Sequence, residues 1–185
     1  LDYGYFFYPA QFWAHKNHFR IIEAVKILHQ EDTQYRVVFV GRDKGNYDFL
    51  DRLIRGYGLS KHIKSLGFIP AEHMRVLYEN CQAVIIPTYF GSTNLPPLEA
   101  WFLGKPLIYS KLFSEQAGNA ALFIDPDDAN SIAYAMKSML DETISDKFIK
   151  NGFKRLQEIT IIKKKAEEQL ISRIIQFEKK RQCWN

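Results

Sequence analysis

Short apolar runs alternate along the chain with longer stretches in which apolar residues recur every three or four positions. The runs are Tyr5-Phe6-Phe7-Tyr8, Arg36-Val37-Val38-Phe39-Val40, Ile63-Lys64-Ser65-Leu66, Ala83-Val84-Ile85-Ile86, Leu107-Ile108-Tyr109 and Ala121-Leu122-Phe123-Ile124. Alternation of this kind predicts β–α units on a parallel sheet. Two of the runs are nearly continuous in Val and Ile, as strands covered on both faces require. Between them, Ile21, Ile22, Val25 and Leu28 mark the buried side of a first helix. Further helices are predicted around 47–57, 72–80, 96–103 and 130–140. Gly41, Gly67 and Gly104 fall where strands or helices should end. The pattern predicts an α/β fold: a Rossmann-like parallel sheet flanked by helices, with a C-terminal helical extension over 143–185. In that extension Ile162, Ala166, Leu170, Ile174 and Phe177 follow helical spacing. Such a stripe needs a partner, either the body of the domain or a neighbouring domain.

Length and composition bound the picture without changing it. A chain of 185 residues, 46% of them apolar, buries one ordinary core, so a single domain is expected. The chain starts Leu1-Asp2 with no Met, and the expectation is a piece of a longer protein. The first residues lack the basic and apolar regions of a secretion signal. No run reaches the roughly 18 apolar residues of a membrane span. Cys81 and Cys183 have no metal-ligand spacing, which favours a reducing compartment and hence a cytoplasmic location. The formal charge of +4 is spread among acidic residues, without the basic stripe and interleaved aromatics that nucleic acid would demand.

Candidate chemistry gathers in three segments. Tyr8-Pro9-Ala10-Gln11-Phe12-Trp13-Ala14-His15-Lys16-Asn17-His18 follows the first strand. Pro87-Thr88-Tyr89-Phe90-Gly91-Ser92-Thr93-Asn94-Leu95-Pro96-Pro97-Leu98-Glu99-Ala100 follows the fourth. The third is Ala117 through Pro126. The first two lie at the carboxyl ends of parallel strands, the edge where open α/β sheets bind ligands. A small polar loop running into a helix, as Gly91, Ser92, Thr93 and Asn94 do, offers backbone N–H groups to a phosphate. Lys16 supplies a cation for the same anion, a charge-assisted contact of roughly 1.5–3 kcal/mol. Glu99, placed in the first turn of that helix, can accept two hydrogen bonds from a vicinal diol. Its structural alternative is to complement the helix dipole, for about 0.3–1 kcal/mol.

Taken in order, these segments resemble the C-terminal domain of the family 4 glycosyltransferases, enzymes of two-domain GT-B architecture. The resemblance rests on Lys16, on Leu95-Pro96-Pro97-Leu98-Glu99-Ala100 with Gly104-Lys105-Pro106-Leu107-Ile108 downstream, and on Gly118 through Pro126, and it spans about Tyr5 to Leu140. It implies that Lys16 binds the diphosphate of a nucleoside-diphosphate sugar (UDP, GDP or dTDP type) and that Glu99 holds the ribose. Gly91, Ser92, Thr93, Asn94 and Leu95 would contact phosphates and the transferred sugar. Gly67-Phe68-Ile69-Pro70 would lie beside the base. The resemblance further implies retention of anomeric configuration, no catalytic metal, and an acceptor glycan or lipid-linked saccharide bound by an N-terminal domain that this chain lacks. On that reading the chain by itself is inactive, and the whole enzyme serves surface polysaccharide or lipopolysaccharide synthesis, with a mannose or deoxyhexose donor.

Two positions depart from the family pattern. Gly91 stands where the first Glu of a Glu-x7-Glu motif falls, and Gln11 stands where an Arg often precedes the Lys. A subgroup with a Tyr-Pro-Ala-Gln-Phe-Trp start and Gly-Pro-Thr-Asn before Leu-Pro-Pro-Leu-Glu-Ala is similar to this chain, with Ser92 replacing the Pro. Other signals are weaker. His15 and His18 lack a third metal ligand. Lys163-Lys164-Lys165 and Lys179-Lys180-Arg181 offer a weak peripheral contact with an anionic membrane face, diluted by Glu167, Glu168 and Glu178. Trp13 and Trp101 are expected in the core. Rival readings are another GT-B-like enzyme half of epimerase or phosphorylase type, and a degenerate module that only binds a partner. A dinucleotide-binding oxidoreductase would need a glycine-rich turn that Tyr8 to Trp13 does not supply.

Overall fold

A computed structural model describes residues 4–31, 35–91 and 95–182. Strands β1 (Phe6–Pro9), β2 (Val37–Val40), β3 (Ile63–Ser65), β4 (Ala83–Ile86), β5 (Leu107–Ser110) and β6 (Leu122–Ile124) form one parallel sheet in the order β3-β2-β1-β4-β5-β6. β1 is central, with Phe6 in register with Val37 on one side and Ala83 on the other. The chain builds outward from β1 to β3, then returns to place β4 on the opposite flank of β1. Loops after β1 and β4 therefore diverge, and a crevice opens between them at the carboxyl edge.

Helices α1 (His18–Glu31), α2 (Tyr47–Gly56), α3 (Ala71–Glu79), α4 (Leu95–Phe102), α5 (Ser114–Ala117), α6 (Ala129–Ser138) and α7 (Glu142–Gln182) cover the sheet. Every residue of β2, β4 and β5 is buried, the outcome of covering both faces. α1 buries Ile21, Ile22, Val25 and Leu28 and packs along α6. Trp101 of α4 is 1% exposed, and its indole N–H donates to the Ala120 carbonyl at 3.0 Å. Gly152 of α7 lies directly against that indole, so close that a Cβ there would stand 2.5 Å from Trp101 Cδ1.

The structure differs from the sequence expectations in three places. Strand ends shift by one residue, and Leu66 lies outside β3, exposed. The turn Ala14–Lys16 and the short α5 carry too few residues to show a period. Trp13 is not in the core; it is 42% exposed. Of the two partners left open for the C-terminal stripe, the body of the domain does not cover it. α7 docks through Phe148, Leu156 and Ile159, and through Arg155, which donates to the Gln116 and Glu115 carbonyls, both at 2.9 Å. Ile162, Leu170, Ile174 and Phe177 continue the same helical face past the edge of the body and are exposed. No helix among the described residues is long and apolar enough to cross a membrane.

Candidate functional site

The site is built where the loop after β1 meets those after β2, β4 and β6. Gly41 sits so close to this loop that a Cβ would stand 2.2 Å from the Ala10 carbonyl oxygen. The Phe12 N–H donates to the Arg42 carbonyl at 3.0 Å, and Asp43 then starts α2 by accepting from the N–H groups of Gly45, Asn46 and Tyr47. Asn17 is the single described non-glycine residue in the left-handed region, at φ 60°. Its buried amide donates to the carbonyls of Pro87 (3.1 Å) and Pro126 (2.8 Å), tying the loops after β1, β4 and β6 into one corner. The Tyr8 hydroxyl donates to the Lys16 carbonyl at 2.6 Å. The His15 carbonyl accepts from the Tyr89 N–H (3.0 Å) and the Thr88 hydroxyl (3.2 Å). Lys16 therefore projects from a backbone fixed at both neighbours.

Three adjoining hollows line the crevice. The first, about 300 Å³, is bounded by Gln11, Trp13, His15, Lys16, Leu95 and Pro96. The second, about 560 Å³, is bounded by Gln11, Gly41, Arg42, Lys44, Phe68 and Ile69, and Pro9, Ala10 and Gln11 line both. The third, about 360 Å³, includes Met74, Arg75, Tyr78 and Glu99, and shares Ala71 and Met74 with the second. The first two have Lys16, Arg42 and Lys44 on their walls and no Asp or Glu. Burial lowers the Lys16 pKa from its ordinary value, and among the described residues no carboxylate pairs with it. A half-buried ammonium without a counter-charge, in a crevice of one sign, is an anion site by its chemistry.

The structure brings Gln11, Lys16 and Leu95 together in the first hollow, and Phe68 and Ile69 with Gln11 in the second. Ser92, Thr93 and Asn94 lie outside the described residues, and Gly91, just before them in the loop after β4, is half-buried. Glu99 needs a correction. α4 starts at Leu95, so Glu99 stands in its second turn and not its first, beyond the strongest reach of the helix dipole. It lies in the third hollow, apart from Lys16, where its Oε2 accepts from the Tyr78 hydroxyl at 2.6 Å. Burial, then this hydrogen bond, pushes the Tyr78 hydroxyl far above its ordinary pKa, so it stays a donor and orients the carboxylate.

Sequence reasoning missed Tyr78 and Asn17. Tyr78 reads as one more apolar position of an amphipathic helix, and nothing local announces its hydroxyl. Asn17, the residue after Lys16, carried a signal, since Asn tolerates a left-handed backbone better than most residues. His15 and His18 separate: His15 projects into the first hollow, whereas His18 opens α1, fully buried against Tyr8, Phe12 and Phe39. The third segment contributes framework, through Pro126 and through Asp125, which pairs with Lys111 at 2.5 Å.

The family model described as glycosyl transferases group 1 matches residues 1–155. Among characterised proteins, the chain is 28% identical over 144 residues to O-antigen chain mannosyltransferase B of Escherichia coli, covering 76% of this chain and 38% of that protein. It is 26% identical over 138 residues to O-antigen chain mannosyltransferase RfbU of Salmonella typhimurium, covering 74% and 38%. The chain thus spans well under half the length of these relatives. Among solved structures, Anabaena Alr3699/HepE in complex with UDP superposes with a TM-score of 0.79 at 19% identity, over 91% of this chain and 49% of that one. The C-terminal domain of the group 1 glycosyltransferase LpcC from Francisella tularensis superposes with a TM-score of 0.71 at 19% identity, over 84% and 86%. The last two likenesses establish the fold, which is that of one half of a GT-B enzyme.

Proposed function

The chain belongs to the group 1 glycosyltransferases, and from that premise we propose that it is the donor-binding domain of a retaining enzyme using a nucleoside-diphosphate sugar. One observation carries the reading: the crevice at the strand-order reversal holds a half-buried Lys16 with Arg42 and Lys44, and among the described residues no carboxylate pairs with Lys16 or lines these two hollows. A diphosphate supplies the missing counter-charge. The base lies in the second hollow by Phe68 and Ile69, and Glu99 holds the ribose at the junction with the third. Gly91 through Leu95 complete the phosphate contacts with backbone N–H groups. As the glycosidic bond breaks, charge grows on the leaving diphosphate, and Lys16 stabilises it more than it stabilised the intact donor, which lowers the barrier.

The acceptor binds to an N-terminal domain, and this chain alone turns over nothing measurable. The names of the O-antigen mannosyltransferase relatives favour a mannose-type donor and a product in surface polysaccharide. The test is calorimetric titration with UDP, GDP, dTDP and ADP, on the unaltered chain and on Lys16→Ala and Glu99→Ala. One nucleotide is expected to bind at roughly micromolar to millimolar Kd, weakened by both substitutions. Absence of binding by both this chain and the full-length protein overturns the reading.

A further inference from the structure

Lys16 hangs from a frame that two other loops provide. The carbonyl of its neighbour His15 accepts from the Tyr89 N–H at 3.0 Å and from the Thr88 hydroxyl at 3.2 Å. The amide of its other neighbour, Asn17, donates to the Pro87 and Pro126 carbonyls. The loop after β4 thus supplies one rail of the frame, at 87–89, and the loop after β6 supplies the other, at Pro126. A single side chain ties the rails together. The Tyr89 hydroxyl donates to Asp127 Oδ1 at 2.7 Å, with the Pro126 carbonyl 3.4 Å away. Its oxygen also accepts from Arg20, in the first turn of α1, whose Nη1 pairs with Glu23 at 2.5 Å.

This cross-tie does more for position than for stability. Tyr89 is half-buried and Asp127 exposed, so the hydrogen bond competes with water and contributes modestly to the fold. Burial, then the Asp127 hydrogen bond, raises the Tyr89 pKa, so the hydroxyl remains a donor at neutral pH. It joins α1 and the loops after β4 and β6 at one point. Releasing it loosens 87–89, and with them the His15 carbonyl and the backbone from which Lys16 projects. A group that must meet a bound anion needs placement to within about 0.5 Å. Tyr89 is absent from the walls of the three hollows, so its route to a ligand there runs through Lys16.

We propose that Tyr89 is a positioning residue: its hydroxyl, bridging Arg20 and Asp127, fixes the loop after β4 and so sets where the Lys16 ammonium meets the donor diphosphate. This rests on the reading of Lys16 as the diphosphate ligand.

The test is calorimetric titration with UDP, GDP, dTDP and ADP on the unaltered chain, Tyr89→Phe, Lys16→Ala and the double variant, with urea unfolding to check that each is folded. Tyr89→Phe keeps the ring and loses the hydroxyl. It should weaken the nucleotide that binds by about three- to tenfold, the range for one hydrogen bond, and by less than about twofold in the Lys16→Ala background. Asp127→Ala should repeat the loss, whereas Asp127→Asn, which keeps an acceptor oxygen, should retain most of the affinity. Equal losses with and without Lys16 would make the hydroxyl merely structural and overturn the proposal, as would no loss from Tyr89→Phe. Where Lys16→Ala binds too weakly to titrate, the ε-carbon resonance of Lys16 decides. Its pH titration, lowered by burial in the unaltered chain, should move towards the ordinary lysine value in Tyr89→Phe, and an unmoved titration overturns the proposal. If neither this chain nor the full-length protein binds any of the four nucleotides, the Lys16 reading itself fails and this proposal falls with it, a result distinct from the others.

Discussion

His18 gives the fold a pH dependence that can be worked out from its surroundings. Its ring sits 4.6 Å from the Tyr8 ring, 4.7 Å from Phe12 and 5.0 Å from Phe39, with no exposed surface and neither nitrogen in a regular hydrogen bond. Burial in this aromatic cage pushes its pKa down to about 3; the nearby Ala10 backbone opposes the shift and the Lys16 charge adds to it. In the unfolded chain the imidazole titrates near 6.5. The neutral form is thus favoured by folding, so this contribution to stability is complete above pH 6.5. It is lost as pH falls from 6.5 towards 3, because the unfolded chain takes up a proton that the native state refuses. At pH 5 the unfolded imidazole is mostly charged and the folded one is not, which costs about 2 kcal/mol relative to pH 8.

Urea unfolding at pH 8, 6 and 5 measures this directly, with His18→Phe as the comparison. Phenylalanine is apolar and ring-shaped, so it keeps most of the packing while removing the titration. The unaltered chain should lose about 2 kcal/mol more than His18→Phe between pH 8 and pH 5, and the variant should be no less stable at pH 5. Parallel pH profiles for the two proteins would refute the argument, since they would mean that the His18 site admits a proton or water. The consequence reaches function, because His18 lies two residues from Lys16 and anchors the corner that holds it.

Three further outcomes follow from named contacts. Asn17→Ala removes two buried hydrogen bonds, to Pro87 and Pro126, and leaves at φ 60° a residue that tolerates the left-handed region less well than asparagine, so unfolding free energy should fall by about 2–4 kcal/mol; a loss below about 0.5 kcal/mol would show the corner closing without it. Gly152→Ala should lower stability by about 1–3 kcal/mol despite alanine's better helix propensity, because its Cβ meets Trp101 at 2.5 Å. Gly56→Ala, with nothing within 4 Å, should be neutral or stabilising; melting temperatures of the pair decide this. Tyr78→Phe should weaken nucleotide binding, but less than Glu99→Ala, since it frees the carboxylate's orientation without removing it; equal affinity for Tyr78→Phe and the unaltered chain in the same titration would exclude a positioning role.

What the sequence made legible, and what it hid, follows from the range of the interactions. β2, β4 and the buried face of α1 were readable because burial imposes itself every residue, or every three to four residues, on a strand or helix of ordinary length. Lys16 was readable as a cation after the first strand, at the edge where any parallel sheet presents its loops. Its isolation from every described carboxylate was not, because that depends on which distant loops approach it. Glu99 was assigned to the wrong helical turn by a single residue: the helix was expected from Pro96 and starts at Leu95, with both prolines in its first turn, where proline fits. Trp13 was misplaced by the assumption that large apolar side chains seek the core of their own domain, and for the C-terminal stripe the sequence left the body of the domain and a neighbouring domain equally open. Both are exposed here, and the stripe continues a face that the body covers only as far as Ile159. The residues that sequence reasoning lost are therefore those whose neighbours come from elsewhere, and Tyr78, held to Glu99, and Asn17, held to Pro87 and Pro126, both belong to that class.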